Sequence, residues 1–195
     1  IRDVERSRGL GDVYKRQVKD LISLGSSMGF EVTIAELMET EIGQVSSTSI
    51  RNALAEGRPK DAAKQLGHWH RIEGLVIGGE QRGRELGYPT ANMSLDGLHL
   101  PHLGVYAVLV DVLNGEHVGS YNGVASLGVR PMFGENTPNL ETFVFDFSGD
   151  LYGATLSVAL VDFMRPEIKF DSLENLIVQM DQDSLKAKEL LKSFK

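Results

Sequence analysis

From Arg71 to Met164 the chain breaks into short runs rich in β-branched and alternating apolar residues, and turn signals separate them. The runs are Arg71–Ile77, Val105–Leu113, His117–Ala125, Leu140–Phe147 and Thr155–Met164. The punctuation is Gly78-Gly79, Asn114-Gly115, Pro138-Asn139 and Ser148-Gly149. A two-residue side-chain period makes such runs strands with one face on a core. Asn-Gly between two of them is the strongest hairpin signal in the chain. Five or six strands at this spacing predict a closed or nearly closed β-barrel, because closure removes the unpaired edges. After it, Ser172–Phe194 carries Leu173, Leu176, Ile177, Met180, Ala187, Leu190, Leu191 and Phe194 at helical spacing. Asp171 with Glu174 resembles a capping box, and the helix is expected to pack across the barrel.

The region before Gly67 has a different character. Val18–Met28 reads as a short amphipathic helix stopped by Gly29, and Phe30–Ile34 alternates like a strand. Hydroxyls at Ser46-Ser47-Thr48 can cap a helix through Ser49–Glu56, and Pro59 can open another near Lys60–Leu66. This stretch is too small to bury a core by itself. Residues 1–17 show no period and are expected to be a disordered or artefactual leader.

Bulk properties exclude several classes. A net charge of −7 over 195 residues speaks against general nucleic-acid binding, which needs a basic face. No run approaches the roughly 18 apolar residues of a membrane span. With no cysteine there is no disulfide framework, thiolate metal site or cysteine nucleophile, and a reducing, cytoplasmic setting is expected. The five histidines have no recognised zinc spacing.

The chemistry-bearing segment runs from Gly79 to Asn92. Gly79, Gly83 and Gly87 interleave with Arg82 and Arg84, and Pro-Thr-Ala-Asn, read as a turn, follows at 89–92. Glycines let backbone N–H groups close on a ligand, and arginines suit phosphate oxygens. Thr90 and Asn92 offer hard oxygens of the kind Mg²⁺ accepts. The segment is neither a Walker A loop nor a dinucleotide fingerprint; on composition alone an ordinary glycine-rich hairpin loop with solvated arginines is the simpler reading, and Pro-Thr-Ala-Asn after it narrows the gap. On the run 140–147, Glu141 shares a strand face with Phe143 and Phe145. It is either a strand-end charge or a carboxylate held near apolar surroundings as a general base. Gly128–Gly134, with Arg130 and Phe133, and Asp150–Gly153, with Tyr152, read as loops that either line a pocket or merely connect strands.

In their order, the glycine-rich loop, Pro-Thr-Ala-Asn, Gly-Val-Tyr-Ala at 104–107, Gly-Val-Arg-Pro at 128–131, Leu-Glu-Thr-Phe at 140–143 and Asp-Leu-Tyr-Gly at 150–153 resemble a known family. From about Gly67 to the end, the chain resembles the riboflavin kinase module of bacterial bifunctional riboflavin kinase/FAD synthetases. That resemblance implies a mainly β fold: a six-stranded Greek-key barrel with a C-terminal helix. It also implies transfer of the ATP γ-phosphate to the 5′-hydroxyl of riboflavin, giving FMN and ADP. Thr90 and Asn92 match the residues that hold the Mg²⁺-nucleotide, and Glu141 matches the catalytic glutamate. Gly79–Gly87 matches the phosphate-covering segment, and Arg165, Glu167 and Phe170 fall where the family shapes its flavin side. Phe133, Phe143, Tyr152 and Phe170 are candidates to line an aromatic flavin pocket. Met132 stands where the family usually has threonine, which puts the shape of that loop in doubt.

Residues 18–66 resemble the end of the adenylyltransferase module, a small α/β remnant of a Rossmann-like domain, including Ser-Ser-Thr-x-Ile-Arg at 46–51. The His-x-Gly-His motif of that module is absent, so FMN adenylylation is expected to be lost unless the missing domain is supplied. A truncated or artefactual junction near Val18 is expected. A flavin- or nucleotide-binding module without turnover is the alternative to the kinase. Apolar residues such as Leu21, Ile22 and Leu54 on the remnant would be exposed and invite self-association.

Overall fold

A computed structural model describes residues 18–34, 38–41, 43–78, 83, 86–132 and 135–194, with backbone alone at 130–132, 135 and 136. Two compact units divide between Met38 and Glu39. The first contains helix α1, residues 18–28, ended by Gly29 in the left-handed region at φ 78°. Its Leu21, Leu24 and Met28 are exposed. Residues 30–34 are irregular, in place of the expected strand. A lone strand has no neighbour to take its backbone hydrogen bonds; instead the Phe30 N–H returns to the Gly25 carbonyl at 3.0 Å.

The second unit opens with a two-residue hairpin, β1 (Glu39–Thr40) with β2 (Gly43–Gln44). Helix α2 (Ser47–Ala55) follows, capped by the Ser46 hydroxyl, which accepts from the Ser49 N–H at 3.1 Å. Helix α3 (Pro59–Leu66) begins on its proline and ends at Gly67, φ 77°. Ala53 and Leu54 of α2 meet Ala62 of α3 in a small core of their own. Leu54 is 3% exposed, so the expectation of an open apolar face fails there. The barrel supplies the missing surface: the His102 N–H donates to the Leu54 carbonyl at 2.8 Å, and Lys60 pairs with Asp162 at 2.6 Å.

Six antiparallel strands form the barrel: β3 (Arg71–Leu75), β4 (Thr90–Ser94), β5 (Gly104–Val112), β6 (Gly119–Met132), β7 (Glu135–Val144) and β8 (Thr155–Arg165). Their order is β3-β8-β5-β6-β7-β4. In the run β8-β5-β6-β7, three hairpin-connected strands are flanked by a fourth returning beside the first, which is a Greek key. Among the described residues the seam between β3 and β4 is bridged by Ile77 and Asn92, whose backbones bond at 2.9 Å. The sheet is therefore nearly closed, and the gap lies beside Asn92.

Two expected irregular stretches are strand. Thr90–Ser94, read as a turn from Pro-Thr-Ala-Asn, pairs along its length with Asn139–Phe143. Proline at 89 can begin an edge strand because its missing N–H is needed only inside a ladder. Likewise Gly128–Met132, read as a loop, continues β6 opposite Glu135–Asn139; long-range pairing overrides the local turn preferences of glycine and proline.

Met93, Tyr106, Val108, Val110, Leu127, Leu140, Leu156, Val158 and Leu160 fill the barrel interior. On the outside, Ala107, Phe145 and Val161 pack against Ala187 and Leu191 of helix α4 (Leu173–Leu191). Strand β5 is thus buried on both faces and reads as a continuous apolar run. Helix α4 is capped by Ser172, not Asp171: the Ser172 hydroxyl accepts from the Asn175 N–H at 3.2 Å. A short hydroxyl at this N-cap meets the third helical N–H.

Candidate functional site

Two clefts meet at Thr90. The first, about 310 Å³, opens at the β3–β4 seam and is lined by Val76, Gly83, Thr90, Asn92, Thr142 and Tyr152 among others. The second, about 150 Å³, lies between the outer barrel face and α4; Tyr88, Thr90, Glu141, Phe143, Arg165 and Phe170 contribute. Strand register brings the key side chains together. Asn92 is the cross-strand partner of Glu141, and Thr90 that of Phe143. Partners in an antiparallel pair point to the same side, so all four share the outer face, while Ala91, Met93, Leu140 and Val144 belong to the core.

Glu141 is therefore not inside the barrel, nor at a free strand end. It is half-buried on the outer face beside Phe143, in the cleft under α4. Its carboxylate Oε1 accepts from the Asn139 Nδ2 at 3.3 Å, and the same amide reaches Asn92 Oδ1 at 3.5 Å. Asn139 is 2% exposed. A buried amide with two donors thus holds a carboxylate and a carbonyl oxygen side by side.

The phosphate-loop candidates divide. Gly79, Arg82 and Arg84 lie outside the described residues, as does Phe133, and Arg130 is described by its backbone alone. Gly83 accepts from the Tyr88 N–H at 2.7 Å, and a Cβ added to it would lie 2.3 Å from the Tyr88 carbonyl oxygen. This close approach requires glycine. Gly87 turns the chain at φ 81°. Tyr152 is in the seam cleft, whereas Phe143 and Phe170 are in the cleft under α4, so the expected aromatic set is split between two pockets.

Arg165 proves to be a clasp. Its Nε and Nη2 both reach Asp183 of α4, at 2.9 and 2.7 Å to Oδ2, and Gln179 donates to Oδ1 at 3.0 Å. Its guanidinium also lies 6.0 Å from the Phe170 ring centroid. Asp183 is 6% exposed, so the pair is well desolvated and fixes the helix as one wall of the cleft. Glu167 packs on Gly128, where an added Cβ would meet its Oε1 at 2.3 Å.

Sequence reasoning passed over Tyr88 and Asn139. The Tyr88 ring packs against Phe143 in a tilted arrangement, centroids 4.9 Å apart and planes at 59°, and its hydroxyl donates to Asp181 of α4. Burial, and then the bond to Asp181, push its pKa up to about 12. Asn139 had been read only as part of a turn signal; its strand register could not be known without the fold.

The donor set suits a hard divalent cation. Among the described residues no three His, Asp or Glu cluster as a metal site. Thr90 and Asn92 supply two neutral oxygens on one strand face, which matches a Mg²⁺ that keeps waters and takes its remaining ligands from phosphates.

The riboflavin kinase profile of the flavokinase family matches residues 66–191. The chain belongs to the flavokinase family. The bifunctional riboflavin kinase/FMN adenylyltransferase of Listeria monocytogenes is 39% identical over 156 residues, covering 79% of this chain and 48% of that protein. Its counterpart from Pseudomonas fluorescens is 41% identical over 167 residues, 85% of this chain and 52% of that protein. The chain spans about half the length of the curated relatives it matches. A crystal structure described as a macrolide-efflux protein from Streptococcus pneumoniae is also similar, with 38% identity and a TM-score of 0.72. It covers 82% of this chain and 52% of that one. Among the described residues no helix is long and apolar enough to cross a membrane.

Proposed function

We propose that this chain is an ATP:riboflavin 5′-phosphotransferase, binding nucleotide at the β3–β4 seam and flavin in the cleft under α4. The observation that carries the reading is the Asn92–Glu141 pair, joined by the Asn139 amide where the two clefts meet. Glu141 takes the proton of the riboflavin 5′-hydroxyl as that oxygen bonds to the γ-phosphorus. The bond from γ-phosphorus to the β,γ-bridging oxygen breaks, and ADP leaves. Thr90 and Asn92 would hold Mg²⁺, which supplies charge neutralisation on the phosphates. Phosphoryl transfer asks mainly for positioning, so a base fixed by a buried amide, hydroxyl and carbonyl ligands and a tight glycine turn are a sufficient kit. Phe143 and Phe170 offer aromatic surface to the isoalloxazine, which is the chemistry such a ring system needs.

Residues 18–66 are read as the end of an adenylyltransferase module, with 67–195 as the kinase module. Adenylylation of FMN is then expected only when the remaining part of that module is present. Self-association is proposed through α1, on the strength of its exposed Leu21, Leu24 and Met28. A cytoplasmic setting is part of the proposal, and the cysteine-free composition is compatible with it.

Incubation with riboflavin, ATP and Mg²⁺, followed by chromatography, tests the reading. FMN is the expected product; folded protein that makes none overturns it. Flavin fluorescence quenching without FMN would identify a binding module.

A further inference from the structure

Resting on the phosphotransferase reading, we propose that Tyr88 is a positioning residue. It ties the nucleotide side of the site to the wall of the flavin cleft, so that filling one cleft tightens the other. Three contacts, each to a different part of the site, meet in this one residue. Its backbone is locked to Gly83, which lines the seam cleft, by the 2.7 Å bond from the Tyr88 N–H to the Gly83 carbonyl. Its ring rests on Phe143, the cross-strand partner of Thr90 and a neighbour two residues from Glu141. Its hydroxyl donates to Asp181 on α4, 93 residues away in sequence. That helix presents Met180, Asp183 and Ser184 to the flavin cleft.

The hydroxyl and the ring do separable work. A phenylalanine ring would fill the same space against Phe143 and leave the turn at Gly83 intact. The hydroxyl reaches α4 through a hydrogen bond to the Asp181 carboxylate, which is stronger than one between neutral groups. A ligand seated against Gly83 and Thr90 holds Tyr88 between them, and Tyr88 then holds α4 against the cleft. Linkage makes the effect reciprocal: flavin must tighten nucleotide by the same factor.

The test is riboflavin fluorescence quenching by the purified chain with and without Mg²⁺·ADP, with FMN production from ATP measured in parallel. In the unaltered chain Mg²⁺·ADP is expected to tighten riboflavin about three- to tenfold, the range one such bond can transmit. Tyr88→Phe is expected to bring that factor below about twofold. Asp181→Ala, at an exposed position, removes the acceptor and should do the same, and the double variant should go no further. A merely structural hydroxyl would alter thermal stability and leave the ratio of affinities in place. Full coupling in Tyr88→Phe or Asp181→Ala, or no coupling in the unaltered chain, overturns the proposal. FMN formation with coupling intact in both variants overturns the tie alone, whereas absence of FMN overturns the phosphotransferase reading itself.

Discussion

Asn92 and Glu141 face each other across β4 and β7, and the buried Asn139 amide donates to both, at 3.5 and 3.3 Å. A neutral metal-ligand candidate and a carboxylate are thereby fixed at one point of the sheet, Asn92 lining the seam cleft and Glu141 the cleft under α4. Glu141→Gln keeps size and shape but removes the base. FMN formation should fall about 100-fold or more, within the range of general-base catalysis, while riboflavin affinity changes little. Steady-state kinetics beside fluorescence titration separate the two; unchanged turnover would remove Glu141 from the role.

Thr90→Val replaces a hydroxyl by a methyl of nearly equal volume at the point where the clefts meet. Loss of an oxygen ligand should raise the Mg²⁺ concentration needed for half-maximal rate, by about tenfold for roughly 1.4 kcal/mol. Saturating Mg²⁺ should restore part of the rate. A Mg²⁺ titration of initial rates checks it.

Gly83→Ala would place a Cβ 2.3 Å from the Tyr88 carbonyl oxygen, so the backbone has to shift. The expected outcome is a higher KM for ATP and a lower rate, with the barrel still folded. Circular dichroism melts alongside kinetics test this; kinetics equal to the unaltered chain would mean the turn plays no part.

Asp183→Asn leaves Arg165 facing α4 without its counter-charge. Breaking one side of a buried pair costs about 3 kcal/mol, which lowers Tm by roughly 6–12 °C at this chain length. Replacing both partners, as in Arg165→Met with Asp183→Leu, should recover most of that stability, since an apolar contact of similar volume substitutes for the pair. Differential scanning calorimetry of the single and double variants decides it.

His70 gives a pH dependence of defined sign. Burial, reinforced by nearby His99 and His68, lowers its pKa below the ordinary 6.5. Below pH 6.5 the unfolded chain binds the proton more readily than the folded one. The stability His70 contributes is therefore complete above pH 6.5 and is lost as pH falls toward the lowered folded value. His70→Gln should flatten the fall of Tm on acidification; an unchanged slope would point to other groups.

Local sequence alone settled the parts of this protein that depend on local physics. Alternating runs foretold most of the strands, Pro59 and Gly67 bounded α3, and the ordered motifs led to a family membership that the comparisons then showed. What failed was local preference set against long-range pairing. Pro-Thr-Ala-Asn and Gly-Val-Arg-Pro carry turn residues, yet both lie in strands because β7 offers each a ladder of partners. Phe30–Ile34 alternates like a strand but, among the described residues, pairs with no strand and stays irregular. Register is the quantity no single segment encodes, since it depends on which strand lies opposite and at what offset. It was register that set Asn92 against Glu141 and Asn139 behind both. Distance along the chain likewise hid the ties from Tyr88 to Asp181 and from Arg165 to Asp183, 93 and 18 residues apart, which only packing of α4 on the barrel could make.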